Sequence, residues 1–156
     1  MRYLNPIARN GFTLIEVLMA IIVIALITAI AVPSYQTHVT KARNTRAIAD
    51  VTMVDVHIER YRSVNFSLPP NLAALGVSIP LDPWGNTYRY LNIQDAGKNV
   101  TGQARKDRNL VPINTDYDLY SMGADGKTAS PLPSGPARDD IVRARNGGFI
   151  GLARDF

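Results

Sequence analysis

The sequence predicts an α+β fold, one long N-terminal helix followed by a small strand-bearing domain with an irregular C-terminal loop. Three observations carry this. An apolar run from Phe12 to Val32 holds a single charge, Glu16, and matches the ~20 residues with which a helix crosses a bilayer. Beyond Pro33 helical spacing persists to about Arg62 but turns amphipathic. After a stretch rich in Pro, Gly and Asn come two strand candidates, Thr87 to Ile93 and Tyr117 to Met122, dense in aromatic and aliphatic residues.

The elements follow in order. A helix from Phe12 to about Arg62 is ~75 Å long at its standard rise. Pro33 removes a donor and crowds the preceding turn, so a kink is expected there. Downstream, Val39, Ala42, Ala49, Met53, Val56 and Tyr61 read as a stripe that packs on the domain. Lys41, Arg43, Arg46, Asp50, Glu59 and Arg60 fall mostly on other faces. His38 and His57 lack partners at metal-ligand spacing and read as surface or packing residues. Ser67-Leu68-Pro69-Pro70 ends the helix, and Asn71 to Leu75 can add one further turn before Gly76. Pro80 to Asn86 is turn-rich and includes Trp84, the chain's one tryptophan and a candidate core anchor. The polar stretch Gln94 to Thr115, with Lys98, Arg105, Lys106 and Arg108, exceeds a usual hairpin connection and reads as a solvated loop. Its basic residues are also open to an acidic partner.

Composition narrows the function. The 156 residues suit about one domain, and the apolar content is concentrated near the N-terminus. A net charge of +4, or +2 without Arg2 and Arg9, gives no case for nucleic acid. Without cysteine there is no disulfide, thiolate site or cysteine-linked lipid. Gly126-Lys127-Thr128 imitates the end of a phosphate-binding loop. However, Ser121 stands where the first glycine belongs, and Pro131, Pro133 and Pro136 preclude the following helix. No nucleophile–base arrangement is legible, so nothing argues for an enzyme.

Glu16 decides how residues 1–33 are read. A carboxylate costs roughly 2.5–3.5 kcal/mol at the centre of a membrane helix and less near its edge, so it needs a compensating group. Residues 1–33 can be a secretory signal ending at Ala29-Ile30-Ala31, a plain bitopic anchor, or a leader cut after Gly11. Basic residues on both sides of the span leave orientation open. The run GFTLIEVLMAIIVIALITAIAVPSY resembles the N-terminus of the type IV pilin superfamily along its whole length. The resemblance implies a leader 1–11 removed by a prepilin peptidase between Gly11 and Phe12, with N-methylation of Phe12. It also implies a membrane and assembly helix at 12–33, an amphipathic continuation at 34–66 and a globular domain at 67–156. In a filament, the new amine of Phe12 then pairs with Glu16 of an adjacent subunit; two buried charges costly alone become tolerable together and set the register.

Three further motifs in order, DPWGNTYRYLN from Asp82, YDLYSMGADGK from Tyr117 and DDI from Asp139, resemble the major pseudopilin (G-type subunit) of type II secretion systems. This implies a long helix packed on a small antiparallel sheet, closed by an ordered loop at 122–141 that binds calcium. The implied ligands are the side chains of Asp125, Asp139 and Asp140 and the carbonyls of Met122 and Ala137, with Asp116 and Asp118 as possible substitutes. Oxygen ligands on flexible loops suit that ion. Two departures stand out: a longer interval from Gly126 to Asp139, and Val142 to Gly148 where the family has Asn-Trp. Gly123 to Gly126 also reads as a tight turn without an ion. The implied protein is an inner-membrane, then periplasmic, homopolymer served by the peptidase, an assembly platform and minor pseudopilins. Two rivals are the pilin or minor pilin of a surface fibre, often stapled by a cysteine pair, and a non-assembling anchored or secreted domain.

Overall fold

A computed structural model describes residues 11–95 and 102–156. The leader residues Met1 to Asn10, and with them Arg2 and Arg9, lie outside the described residues, as does Lys98. The chain divides into two units, Met1–Thr40 and Lys41–Phe156.

The helix α1 spans Leu14–Asn65 and runs through Pro33. In the first unit its apolar side chains are exposed, among them Leu14 at 83% and Ile30 at 71%. The helix is long and apolar enough to cross a membrane by length and composition.

In the second unit α1 contributes Ala47, Val51, Val54 and Ile58 to the core, all fully buried. Their spacing of four, three and four residues makes one face at the helical period. The stripe expected from the sequence is displaced: Ala42 and Ala49 are exposed, as are Met53 at 38% and Val56 at 61%. This stretch carries apolar residues on two adjacent faces, and only the 47/51/54/58 face meets the sheet. The helix ends at Asn65 as expected, and Leu68 and Pro69 turn inward. The single turn Leu72–Leu75 follows, capped by the Asn71 side chain at Ala74 N–H and closed by Gly76 at φ 66°.

Four strands form one antiparallel sheet in chain order: β1 Arg89–Asn92, β2 Tyr117–Ser121, β3 Ile141–Ala144 and β4 Phe149–Leu152. The first two fall within the predicted strands, while β3 and β4 were not anticipated. Alternation divides the sheet's side chains between two cores. Tyr117, Leu119 and Ile141 join the helix residues, with half-buried Trp84 packed alongside. On the other face Val142 and Ala144 meet Ile113, Leu132 and Ala153, flanked by Tyr120, Phe149 and Phe156.

That second face corrects the expectation of a solvated loop at 94–115. Ala104, Arg105, Ile113 and Asn114 are each at most 3% exposed. The segment is stitched to 130–132 through Lys106 N–H to the Ser130 carbonyl at 3.0 Å and Leu132 N–H to the Lys106 carbonyl at 2.9 Å. Helix, sheet and loop are therefore three layers, and the loops supply the third.

Candidate functional site

At the N-terminal end, Thr13 and Glu16 form a reciprocal cap on α1. Glu16 Oε2 accepts from Thr13 N–H at 2.9 Å and from its hydroxyl at 2.8 Å, while Thr13 Oγ1 accepts from Glu16 N–H at 3.3 Å. This is a capping box, whose T-x-x-E signature stands in the sequence but was not singled out there. Glu16 lies in the first turn, where the helix dipole favours an anion. Gly11 and Phe12 precede the helix, and Phe12 is 86% exposed.

The C-terminal loop is built from Asp82 outward. The Asp82 carboxylate, 4% exposed, accepts from Trp84 N–H at 3.1 Å, Asn86 N–H at 2.7 Å and the Ser121 hydroxyl at 2.6 Å. Ser121 Oγ in turn accepts from Gly123 N–H at 3.1 Å. The DPWGN segment thus folds on its own aspartate and fixes where the Gly123–Gly126 turn leaves β2. Gly123 has φ 65°, and a Cβ there would sit 2.3 Å from the Asp139 carbonyl oxygen.

Four of the five residues implied as calcium ligands are engaged in hydrogen bonds within the fold. Asp125 Oδ1 accepts from Lys127 N–H at 2.8 Å. Asp139 Oδ2 accepts from the N–H groups of Ala124 and Asp125 at 2.8 and 3.1 Å. Asp140, fully buried, meets the guanidinium of Arg105 and the hydroxyl of Thr128. The Ala137 carbonyl accepts from Asp140 N–H at 3.3 Å, and Met122 is half-buried at the end of β2. Among the described residues no three acidic or histidine side chains are grouped to hold a metal ion. Nor do the substitutes join them: Asp116 pairs with Arg143, and Asp118 accepts from Asn114 and from Arg105 N–H. Calcium needs six to eight converging oxygens, and this donor set, with one carboxylate paired to an arginine, does not fit it.

Two buried arginines stand among these acids. Arg143, 2% exposed, points from β3 toward the helix. It forks onto Asp116 at 2.9 and 2.8 Å, reaches Asp55 of α1, and stacks 3.9 Å over the Tyr117 ring. Burial works against its charge, but the Asp116 bonds and surrounding negative groups hold its pKa above the ordinary value. Arg105 lies on the loop-covered face, 4.1 Å over the Tyr120 ring. Burial pushes the Asp140 carboxyl up to about 6, against the opposing pull of Thr128 and Arg105. Sequence reading missed both roles, because Arg105 stands amid polar residues that read as solvated and Arg143 interrupts a short apolar run.

Residues 8–32 match the family described as prokaryotic N-terminal methylation motif. The motif and the helix-plus-sheet fold are both features that fit the type IV pilin superfamily. Within it, the likeness that covers about three quarters of the chain is to type II secretion system core protein G. The Pseudomonas aeruginosa protein is 26% identical over 140 residues, covering 76% of this chain and 86% of the relative. The Escherichia coli protein is 25% identical over 140 residues, covering 76% and 84%. Fimbrial protein Q of Moraxella bovis is 41% identical, but over only 44 residues and 28% of each chain. No solved structure matches the chain.

Proposed function

We propose that this chain is the structural major subunit of a periplasmic pseudopilus that drives protein export by type II secretion. The observation that carries the reading is the reach of the likeness: it covers about three quarters of the chain with core protein G, but little more than a quarter with fimbrial protein Q. The subunit waits in the inner membrane on its 12–33 segment. A prepilin peptidase cuts between Gly11 and Phe12 and methylates the new amine. An assembly platform then extracts the subunit into a homopolymer, alongside minor pseudopilins, and growth of the filament pushes folded cargo outward.

In this reading Glu16 changes partners. In the free subunit Thr13 satisfies its hydrogen bonds, and in the filament the Phe12 amine of a neighbour adds the counter-charge. The test is complementation of a strain lacking this chain, with the native sequence or Glu16→Ala. The native chain should restore secretion and yield a mature protein starting at Phe12. Glu16→Ala should be cut at the same bond yet form no filament and secrete nothing. Normal filaments from Glu16→Ala would defeat the assembly role. Filaments displayed on the cell surface without any effect on secretion would favour a fibre pilin instead.

A further inference from the structure

The family resemblance calls for a divalent ion in the loop at 122–141, yet the carboxylate at its closing end is already partnered by a side chain. Arg105 is 3% exposed and Asp140 fully buried. The guanidinium contacts Asp140 Oδ2 through Nη2 and the Thr128 hydroxyl through Nη1, and Thr128 Oγ1 donates to the same Asp140 oxygen at 2.6 Å. Thr128 lies on the outgoing limb of the loop and Asp140 on the returning one, so a single cation ties both limbs. Among the described residues, Arg105 Nε and Asp140 Oδ1 have no hydrogen-bond partner. They are a donor and an acceptor on two groups already joined through Nη2 and Oδ2, so the pair keeps one unused donor and one unused acceptor.

The backbone holds the cation in place. Arg105 N–H donates to Asp118 Oδ2 at 2.6 Å, its carbonyl accepts from Ile113 N–H at 2.9 Å, and Lys106 bridges to Pro131. The Tyr120 ring covers the guanidinium from the sheet side. A dication at Asp140 would meet a like charge at contact distance with little water between, so guanidinium and metal exclude each other.

We propose that the Arg105 guanidinium is a built-in counter-cation that closes the C-terminal loop in place of calcium, making this subunit's fold independent of the ion. The inference stands whichever filament the chain builds.

The experiment uses the full chain in detergent, with thermal unfolding read by Trp84 fluorescence. The native protein should melt at the same temperature in excess EDTA and in excess calcium, and calorimetric titration with calcium alone should give no saturable heat. Arg105→Met and Asp140→Asn should each lower the midpoint, while the double variant should lower it by less than the sum, because neither then leaves a buried charge unpaired. A calcium-dependent rise in the native midpoint, or saturable calcium heat, would overturn the proposal even if neither variant folds. Strictly additive single effects would overturn it as well.

Discussion

Replacing Arg143 should be among the most damaging single changes in the domain, and the structure says by how much. The side chain is 2% exposed and faces two carboxylates, Asp116 at 10% and Asp55 at 18% side-chain exposure. In Arg143→Leu both acids lose their counter-charge in a site with little water. Orphaning one partner of a buried pair costs about 3–5 kcal/mol. Loss of the cation–π contact with Tyr117 adds up to about 1 kcal/mol. Because Asp55 retains some access to water, the lower end applies, and a loss of about 3 kcal/mol is expected. For a domain of this size, each kcal/mol moves the midpoint by about 4 °C, so a fall of about 12 °C should appear in a thermal melt of the detergent-solubilised chain. Arg143→Leu/Asp116→Asn should recover part of the loss, since one stranded charge is neutralised. A loss below about 1 kcal/mol, or no recovery in the double variant, would refute the account of Arg143 as the clamp between helix and sheet.

Two smaller tests address the loop and the helix face. Gly123→Ala should cost about 2 kcal/mol or more in chemical denaturation, because the residue holds φ 65° and its Cβ would collide with the Asp139 carbonyl; an unchanged midpoint would mean that the turn does not abut Asp139. Ile58→Ala, in the fully buried stripe, should cost about 2–5 kcal/mol, whereas Val56→Ala, 61% exposed, should stay within about 0.5 kcal/mol. Equal losses at the two positions would show that the face packed on the sheet is assigned incorrectly.

What the sequence disclosed follows the range of the interactions involved. The turn at Leu72–Leu75 was legible because its cap Asn71 and stop Gly76 are local chemistry. Strands β1 and β2 were legible from composition alone. The hairpin of β3 and β4 was missed although Asn146-Gly147 marks a turn, because buried Arg143 breaks the apolar pattern of β3. The helix face was misplaced for another reason: two neighbouring apolar faces share the same period, and only contacts distant in sequence choose between them. Arg105 was least legible of all. Its partner Asp140 is 35 positions away, and nothing local separates a buried arginine from a solvated one.

Glu16 and Arg143 interrupt apolar runs and Arg105 is buried, yet the three charges are met differently. Each arginine finds a carboxylate within its own chain. Glu16 finds only the neutral donors of Thr13, and among the described residues no cation pairs with it. A capping box meets a carboxylate's hydrogen-bonding needs, but it leaves the net charge standing in an apolar segment. Under the proposed function the compensating group is a cation that approaches this exposed helix end from a neighbouring subunit. A free amine at Phe12 of a neighbouring chain meets both conditions, and cutting after Gly11 creates it. Under the proposed function the cut is therefore a charge switch: before it Glu16 is capped and has no counter-charge among the described residues, and after it each subunit carries both the acid and the base that join it to the next. Blocking the cut at Gly11 should accordingly abolish polymerisation as completely as Glu16→Ala does, with the sheet domain's melting temperature unchanged in both; filaments formed from uncut chains would break this link.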